Sequence, residues 1–235
     1  MGNYKPFPFK IPFTRPVTIP FKRPFDVSDD CVLCLIPEIR TKWFDQSING
    51  NDGVIENCTK VDGRFGMGLY FNGVNSVVTI PYNSSLYTSE ITFNTWLWVD
   101  DLTRNVTLLR YFGNQGYNIF VTSNGTIYIS IRNVGDTTNI THNSAAGTIS
   151  TGQWYHIVIS YSETAQEVKF YVDKVNILSE AHTTGHWFEN QIIHVGTNWN
   201  TSWFMNGKID ELEIFNRIFT QEDVDKVYEA GKPEG

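Results

Sequence analysis

The sequence is short of cysteine, of charged residues and of long hydrophobic runs. Only 18% of its 235 residues are charged and three are cysteine. No run approaches the roughly 20 apolar residues that a membrane-spanning helix needs, so we expect no membrane span. Three cysteines cannot build a paired disulfide framework. Cys31 and Cys34, in "CVLC", lack the second pair of a zinc ribbon, which leaves buried thiols or one bridge to Cys58 as interpretations.

Acidic residues are missing from the first 25 positions, which carry five lysines and arginines. Removing these five positive charges from the net charge of −7 leaves −12 on the remainder. The first 24 residues also contain six of the nine prolines. Proline fixes φ and removes a hydrogen-bond donor, so this stretch is predicted to be extended or polyproline-like. We therefore divide the chain into an arm, residues 1–26, and one domain, residues 27–235.

The arm is predicted to bind copies of this chain or companion structural subunits. Its Pro-Phe pairs are too apolar for an inert linker, and a basic segment is attracted to an acidic body. A solvated tail is the alternative. The predicted contact residues are Phe7, Phe9, Phe13, Phe21, Phe25, Lys10, Arg15, Lys22 and Arg23.

Beyond the arm, the pattern favours an all-β protein. Short apolar runs, many of them alternating, are separated by Asn, Thr, Ser and Gly, which is typical of antiparallel strands joined by turns. Helical spacing is confined to the end, where Thr220 is placed to cap "QEDVDKVYEA" and Gly231 to end it. The composition thus predicts one β domain that closes with a short helix.

Several stretches, taken together in order and spacing, resemble the laminin G-like, concanavalin A-like family of lectin and glucanase domains. The resemblance implies a two-sheet antiparallel jelly-roll sandwich from about Cys31 to Gly231, with no counterpart for the arm. The matching stretches are "DQSINGNDG", "GRFGMGLYFNGVNSVVTIP", "ITFNTWLWVDD", "TGQWYHIVISYS", "KFYVDK", "HVGTN" and "NGKIDELEIFNRIFTQEDVDKVYEAG".

Glucanases of this superfamily present carboxylates in an E-x-D-x-E pattern on one strand, and "NGKIDELEIF" does not match it. In a regular strand Glu211 and Glu213 share a face, but Ile209 shares it too, so the strand has no purely polar side. His156 lies within a strand and is interpreted as a hydrogen-bonded structural ring. His182 and His186, in the loop "HTTGH", are not brought together as helical ligands would be. We therefore do not expect an enzyme.

Aromatic side chains in loops are the candidate ligand contacts, because sugar rings stack on aromatic faces. Packing within the loops is the alternative, whereas Trp96, Trp98 and Trp154 lie in strands and are expected in the core. The candidate glycan or partner contacts are Tyr117, Trp187, Trp199 and Trp203.

The turn "DQSINGND" supplies Asp45, Asn49, Asn51 and Asp52, which are oxygen ligands of the kind calcium prefers. A plain Asx turn is the alternative. No cofactor is otherwise required. Six Asn-x-Ser/Thr sequons give weak support for an extracellular location: Asn57, Asn83, Asn105, Asn124, Asn139 and Asn200.

The leading hypothesis is a non-catalytic structural or recognition protein of a cell-surface or virus-particle exterior, assembled through the arm. The alternative is a secreted, carbohydrate-binding, lectin-like module, and a glycoside hydrolase is the third class. Nucleic-acid binding by the domain is not expected, because no basic face with interleaved aromatics extends through it.

Overall fold

The computed structural model describes residues 31–39, 41–111, 116–133, 138–186, 191–198 and 203–230. The predicted arm, residues 1–26, lies outside this part of the chain, so its role stays a prediction.

Sixteen strands, a short 3-10 helix and one α-helix make up the described chain. The strands are β1 (Cys31–Ile39), β2 (Lys42–Asp45), β3 (Gly53–Glu56), β4 (Thr59–Asp62), β5 (Met67–Asn72), β6 (Val77–Ile80), β7 (Glu90–Val99), β8 (Val106–Tyr111), β9 (Tyr117–Val121), β10 (Ile127–Arg132), β11 (Asn139–Asn143), β12 (Trp154–Ser162), β13 (Glu167–Val172), β14 (Val175–Ala181), β15 (Ile193–Val195) and β16 (Asn206–Phe215). The 3-10 helix is Ser84–Leu86 and α1 is Gln221–Glu229.

The strands pair antiparallel in two halves that β1 connects. One half runs β11-β10-β9-β8-β15-β6-β3-β2, and the other runs β14-β13-β12-β7-β16 and continues to β5 and β4. Strand β1 pairs with β2 of the first half and with β16 of the second. The predicted all-β, two-sheet antiparallel sandwich is confirmed.

One hydrophobic core fills the space between the halves. In β10, for example, Ile127, Ile129 and Ile131 are at most 2% exposed and point into it, while the residues between them face outward. Each such side chain contributes about 1.5–3 kcal/mol when it is fully buried. The period-2 pattern in the sequence therefore specifies which side of each strand is inside.

The predicted C-terminal helix is present and packs on the outer side of the second half. Thr220 and Asp223 form a reciprocal capping box at its start. Val224 and Val227 contact a second buried cluster that includes Val158 of β12. Strand β12 is consequently covered on both sides. No helix in the described part of the chain is long and apolar enough to cross a membrane.

Cys31 and Cys34 are joined by a disulfide, which differs from both expected arrangements of the cysteines. A β-bulge between Cys31 and Leu33 adds a residue to β1, so two cysteines three apart reach the same side of the strand. Both lie in the cluster beneath α1. Cys58 is a half-buried free thiol.

Candidate functional site

A β-bulge separates the three carboxylates of β16. Asp210 and Glu213 pair with β7 residues that are only two positions apart, and Glu211 between them has φ +47°. The extra residue keeps Ile209 and Leu212 together in the core and turns Asp210 and Glu213 to the outer side. The expectation that Ile209 shares the side of Glu213 is therefore wrong.

The two outward carboxylates of β16 are buried acceptors. Asp210 is 2% exposed and accepts hydrogen bonds from the backbone N–H groups of Phe65 (2.8 Å) and Glu211 (2.9 Å). Glu213 is 8% exposed and accepts from Asn94 Nδ2 at 3.0 Å. These contacts hold the β4–β5 turn and the outer side of β7. They do not form the open carboxylate pair that hydrolysis of a glycosidic bond requires.

His156 is a structural residue, as interpreted from its place in a strand. Its ring is fully buried, and burial lowers its pKa to about 3. The ring is therefore neutral near pH 7, and Nε2–H donates to Asn94 Oδ1 at 2.7 Å. The rings of Trp96 and Tyr228 cover it, with centroids 5.0 and 5.5 Å away.

The histidines of "HTTGH" join a third histidine that sequence reasoning missed, His142 of β11. His142 Nε2 lies 3.0 Å from His182 Nδ1, and His142 Nδ1 lies 2.7 Å from Glu180 Oε2. His186 Nδ1 contacts the hydroxyl of Tyr161 at 3.2 Å. No group of three or more His, Cys, Asp or Glu among the described residues is arranged to hold a metal ion.

Of the four predicted aromatic contacts, the structure describes Tyr117 and Trp203, and it places them in different environments. Tyr117 is 1% exposed and lies in the core, where its hydroxyl bonds that of Tyr111 at 2.9 Å, so its assignment as a surface contact is wrong. Trp203 is half-buried, 5.4 Å from Phe120 between ring centroids. Trp187 and Trp199 lie outside the described residues.

Trp203 adjoins the outer side of the first half, where paired residues form two parallel rows. The rows are two residues apart along β9, β10 and β11, a separation of about 6.7 Å, and three apart along β8, where a bulge adds a residue. One, the polar row, consists of His194, Arg110, Asn118, Ser130 and Thr141 on β15, β8, β9, β10 and β11. The other, the aromatic row, consists of Thr107, Phe120, Tyr128 and Asn143 on β8, β9, β10 and β11.

Phe120 and Tyr128 are the centre of the aromatic row. Their rings stack with centroids 4.2 Å apart and an interplanar angle of 28°. Both are half-buried, so part of each ring faces solvent. With Trp203 they form an aromatic surface of the type on which the apolar side of a sugar ring packs.

Polar atoms without partners lie beside these rings. Asn118 is 5% exposed and Thr107 is 2% exposed, and neither Asn118 Oδ1 nor Thr107 Oγ1 has a hydrogen-bond partner. Leaving such a group unsatisfied costs about 1–3 kcal/mol. Arg110, next to Asn118, is half-buried, and its desolvation lowers its pKa. Buried acceptors and a half-buried cation thus lie next to the stacked rings.

An open depression of about 440 Å³ continues the aromatic row at one end. It is lined by Asn143 of that row together with Thr122, Ser123, Asn124, Thr126 and Ser144. Hydroxyl and amide groups of this kind suit a hydroxylated ligand.

The family model of the concanavalin A-like lectin/glucanases superfamily matches residues 72–225, more than half of the chain. The chain belongs to this superfamily. Both rows lie within the matched residues. None of the curated protein sequences compared with the chain matches it.

Solved structures with a similar fold include two toxin binding domains and one domain of an arabinanase. The binding domain of Paraclostridial Mosquitocidal Protein 1 is 21% identical, with a TM-score of 0.72 over 86% of this chain and 52% of that one. The botulinum neurotoxin serotype D ligand-binding domain, solved with N-acetylneuraminic acid, is 14% identical, with a TM-score of 0.66 over 85% and 50%. Domain 4 of AbnA, an extracellular arabinanase of Geobacillus stearothermophilus, was solved with arabinotriose and is 21% identical, with a TM-score of 0.63 over 80% and 92%. The chain spans about half the length of the two toxin domains.

The proposed calcium ligands lie in one turn that Asp45 organises. Its Oδ1 accepts from the N–H groups of Cys34 and Ser47, and its Oδ2 accepts from Ser47 Oγ and the N–H of Asn51. Asp52 Oδ1 accepts from the N–H of Asp45, and Asn49 donates to Ser47 Oγ. This is the hydrogen bonding of an Asx turn, the alternative to calcium, and calcium binding stays a prediction.

The sequons occupy turns and strand ends. Asn57, Asn124 and Asn139 are exposed, whereas Asn83 and Asn105 are half-buried and accept backbone hydrogen bonds from Ser85 and Ser123. Asn200 lies outside the described residues.

Proposed function

We propose that the chain is a non-catalytic carbohydrate-binding module that holds its ligand on the outer side of β8–β11. The observation that carries this proposal is the stacked, partly exposed Phe120–Tyr128 pair beside Trp203. A sugar presents an apolar ring face and hydroxyl donors at its edge, so it matches the aromatic row and the polar row together. Two domains of similar fold, one solved with N-acetylneuraminic acid and one with arabinotriose, support the same ligand class.

The test is a glycan array followed by titration calorimetry with the best-bound sugar. Phe120→Ala and Tyr128→Ala are each expected to weaken binding about tenfold, because each removes a stacking surface. Tyr82→Ala removes an exposed tyrosine far from the rows and is the matched control, expected to bind normally. Equal affinity of all three variants would place the site elsewhere.

The absence of catalysis is part of this proposal, because Asp210 and Glu213 are buried and already accept hydrogen bonds. Incubation with the bound glycan is expected to release no reducing sugar. Release that Glu211→Gln abolishes would identify a hydrolase instead.

We also retain the proposal that residues 1–26 bind copies of this chain or companion subunits on a cell-surface or virus-particle exterior. The charge contrast between residues 1–25, which carry +5, and the rest of the chain, which carries −12, supports it. Deletion of residues 1–26 is expected to leave a folded monomer, and normal assembly of the shortened chain in light scattering would disprove the role. Immunogold labelling of intact cells or particles tests the exterior location.

A further inference from the structure

The other half of the sandwich also carries aromatic side chains on its outer side. Trp154 of β12, Trp98 of β7, Lys208 of β16 and Tyr70 of β5 are directly opposite one another in four neighbouring strands. We call these four residues the tryptophan row. With strands about 4.8 Å apart, the row extends about 14 Å across the sheet.

The tryptophan row faces outward because its chain neighbours fill the core. Leu97 and Val99 on either side of Trp98 are buried, as are Leu69 and Phe71 on either side of Tyr70. The expectation that Trp98 and Trp154 lie in the core is therefore wrong. The row is on the opposite face of the sandwich from the polar and aromatic rows.

The tryptophan row is partly exposed because α1 and the β4–β5 turn, which cover the adjacent row of this half, end beside it. In the adjacent row, His156, Trp96 and Asp210 are at most 3% exposed. Tyr228 of α1 and the ring of Phe65 lie over Trp96, at 5.2 and 5.3 Å between centroids. All four residues of the tryptophan row are only half-buried. Partly exposed indole rings in register across a sheet are a typical feature of a ligand-binding surface.

A cation lies among these rings. Lys208 Nζ is 5.0 Å from the Trp98 ring centroid, and the Trp98 and Trp154 centroids are 5.9 Å apart. No carboxylate of the described residues is within salt-bridge distance of Lys208. Trp98 Nε1 donates to Asp100 Oδ1 at 2.7 Å, which fixes the indole ring. The ammonium group is thus available to a negative group of a ligand that stacks on the rings.

We propose that the tryptophan row is a second saccharide site, and that its ligand is a sugar ring carrying one carboxylate. The ring stacks on the aromatic faces and the carboxylate pairs with Lys208. A densely charged polyanion is disfavoured, because Asp100 accepts a hydrogen bond from Trp98 of the row and the chain after residue 25 has a net charge of −12. Two sites on opposite faces would make the module bivalent.

The test compares an oligosaccharide that ends in glucuronic acid with the same oligosaccharide ending in glucose, by quenching of tryptophan fluorescence. The wild-type chain is expected to prefer the acid, and Lys208→Gln to weaken binding of the acid about tenfold while leaving the neutral sugar unchanged. Trp154→Ala is expected to weaken both sugars. Lys226→Gln, at an exposed helix lysine that pairs with Glu222, is the matched control and is expected to behave as wild type.

Equal affinity of the wild-type chain for the two sugars, absence of binding, or unchanged preference in Lys208→Gln would each overturn the proposal. The result is separate from the test of the first site. Phe120→Ala leaves the tryptophan row intact, so it is expected to keep the preference for the acid even where it loses binding on the other face.

Discussion

His142 Nε2 lies 3.0 Å from His182 Nδ1, and this contact joins the terminal strands of the two halves of the sandwich. His142 belongs to β11, and His182 directly follows β14. These two strands are the last in their halves and do not pair with each other. The side of the sandwich opposite β1 is therefore joined by side chains and by one isolated backbone bridge between Asn133 and His186, whereas the β1 side is joined by continuous strand pairing.

The histidine contact predicts lower stability in acid. Burial, and then the charge of His142, lower the pKa of His182 to about 4, and burial likewise lowers that of His186 to about 4. Histidines in the unfolded chain have pKa values near 6.5, so between pH 6.5 and 4 the unfolded chain binds more protons than the folded chain does. The free energy of unfolding is thus expected to fall as pH drops through this window, measured by urea unfolding at several pH values.

A substitution at His182 checks the origin of this pH dependence. His182→Gln removes one group that must be neutral in the folded chain, so its unfolding free energy is expected to vary less with pH between 6.5 and 4. An unchanged slope would show that other groups cause the dependence.

Substitution of Gly196 is predicted to lower the free energy of unfolding, because the backbone at this position lies very close to the ring of Phe71. Gly196 has φ +85°, and an added Cβ would overlap the ring of Phe71. Gly147 also has positive φ, +74°, but has open space around it. Gly147→Ala is expected to cost about 1–2 kcal/mol of unfolding free energy for backbone conformation alone. Gly196→Ala is expected to cost a further 1–3 kcal/mol or so for overpacking. Equal losses in denaturant melts would contradict the overlap.

The capping box predicts a measurable effect of Thr220. Its hydroxyl accepts from the N–H of Asp223 at 3.2 Å and donates to the Asp223 carboxylate at 2.8 Å. Thr220→Ala is expected to lower the free energy of unfolding by about 1 kcal/mol. Thr183→Ala, at an exposed threonine in the loop after β14, is the control and is expected to change stability by under about 0.5 kcal/mol.

The Asp223 carboxyl adds a pH test. Burial alone would raise its pKa, but hydrogen bonds from Arg217 and Thr220 outweigh burial and lower the pKa to about 2. The stabilisation that ionised Asp223 gives the folded chain is fully present above the ordinary aspartate pKa of 3.8, and it is lost as the pH falls toward 2. Asp223→Asn is therefore expected to cost less stability at pH 2 than at pH 7.

Cys58 is predicted to be unreactive in the folded chain. Burial raises its pKa to about 12, so almost no thiolate is present at pH 7. A thiol reagent is expected to label the native protein very slowly, to label one thiol after unfolding without reductant, and to label three after reduction of the Cys31–Cys34 bond. Fast labelling of the native chain would contradict this assignment.

The strands and the terminal helix were predictable because their signals are local. Alternation of apolar residues follows directly from the two-residue period of a strand, as in Ile127, Ile129 and Ile131. Thr220 and Asp223 are spaced as a capping box, and this alone marks the start of α1. The Asx-rich turn at Asp45 is equally local, since its side chain bonds the backbone a few residues away.

The candidate sites were not predictable to the same degree, because they depend on what packs above each strand. Trp96 and Trp98 occupy equivalent positions on one side of β7, yet only Trp96 lies beneath α1 and the β4–β5 turn. Tyr117 follows a polar loop in the sequence, but it points into the core. The bulge at Glu211 has no local signal, and it decides which carboxylates of β16 share a side.

The sequence by itself determined the β class, the capped helix and the inner side of most strands, because side-chain alternation and capping act over a few residues. Only the tertiary structure decided which strands are neighbours, and therefore that Phe120 meets Tyr128 and that Lys208 lies between Trp98 and Tyr70. Rows across a sheet are made of residues far apart in the chain, and their register is fixed by long-range backbone pairing and by bulges rather than by any local pattern.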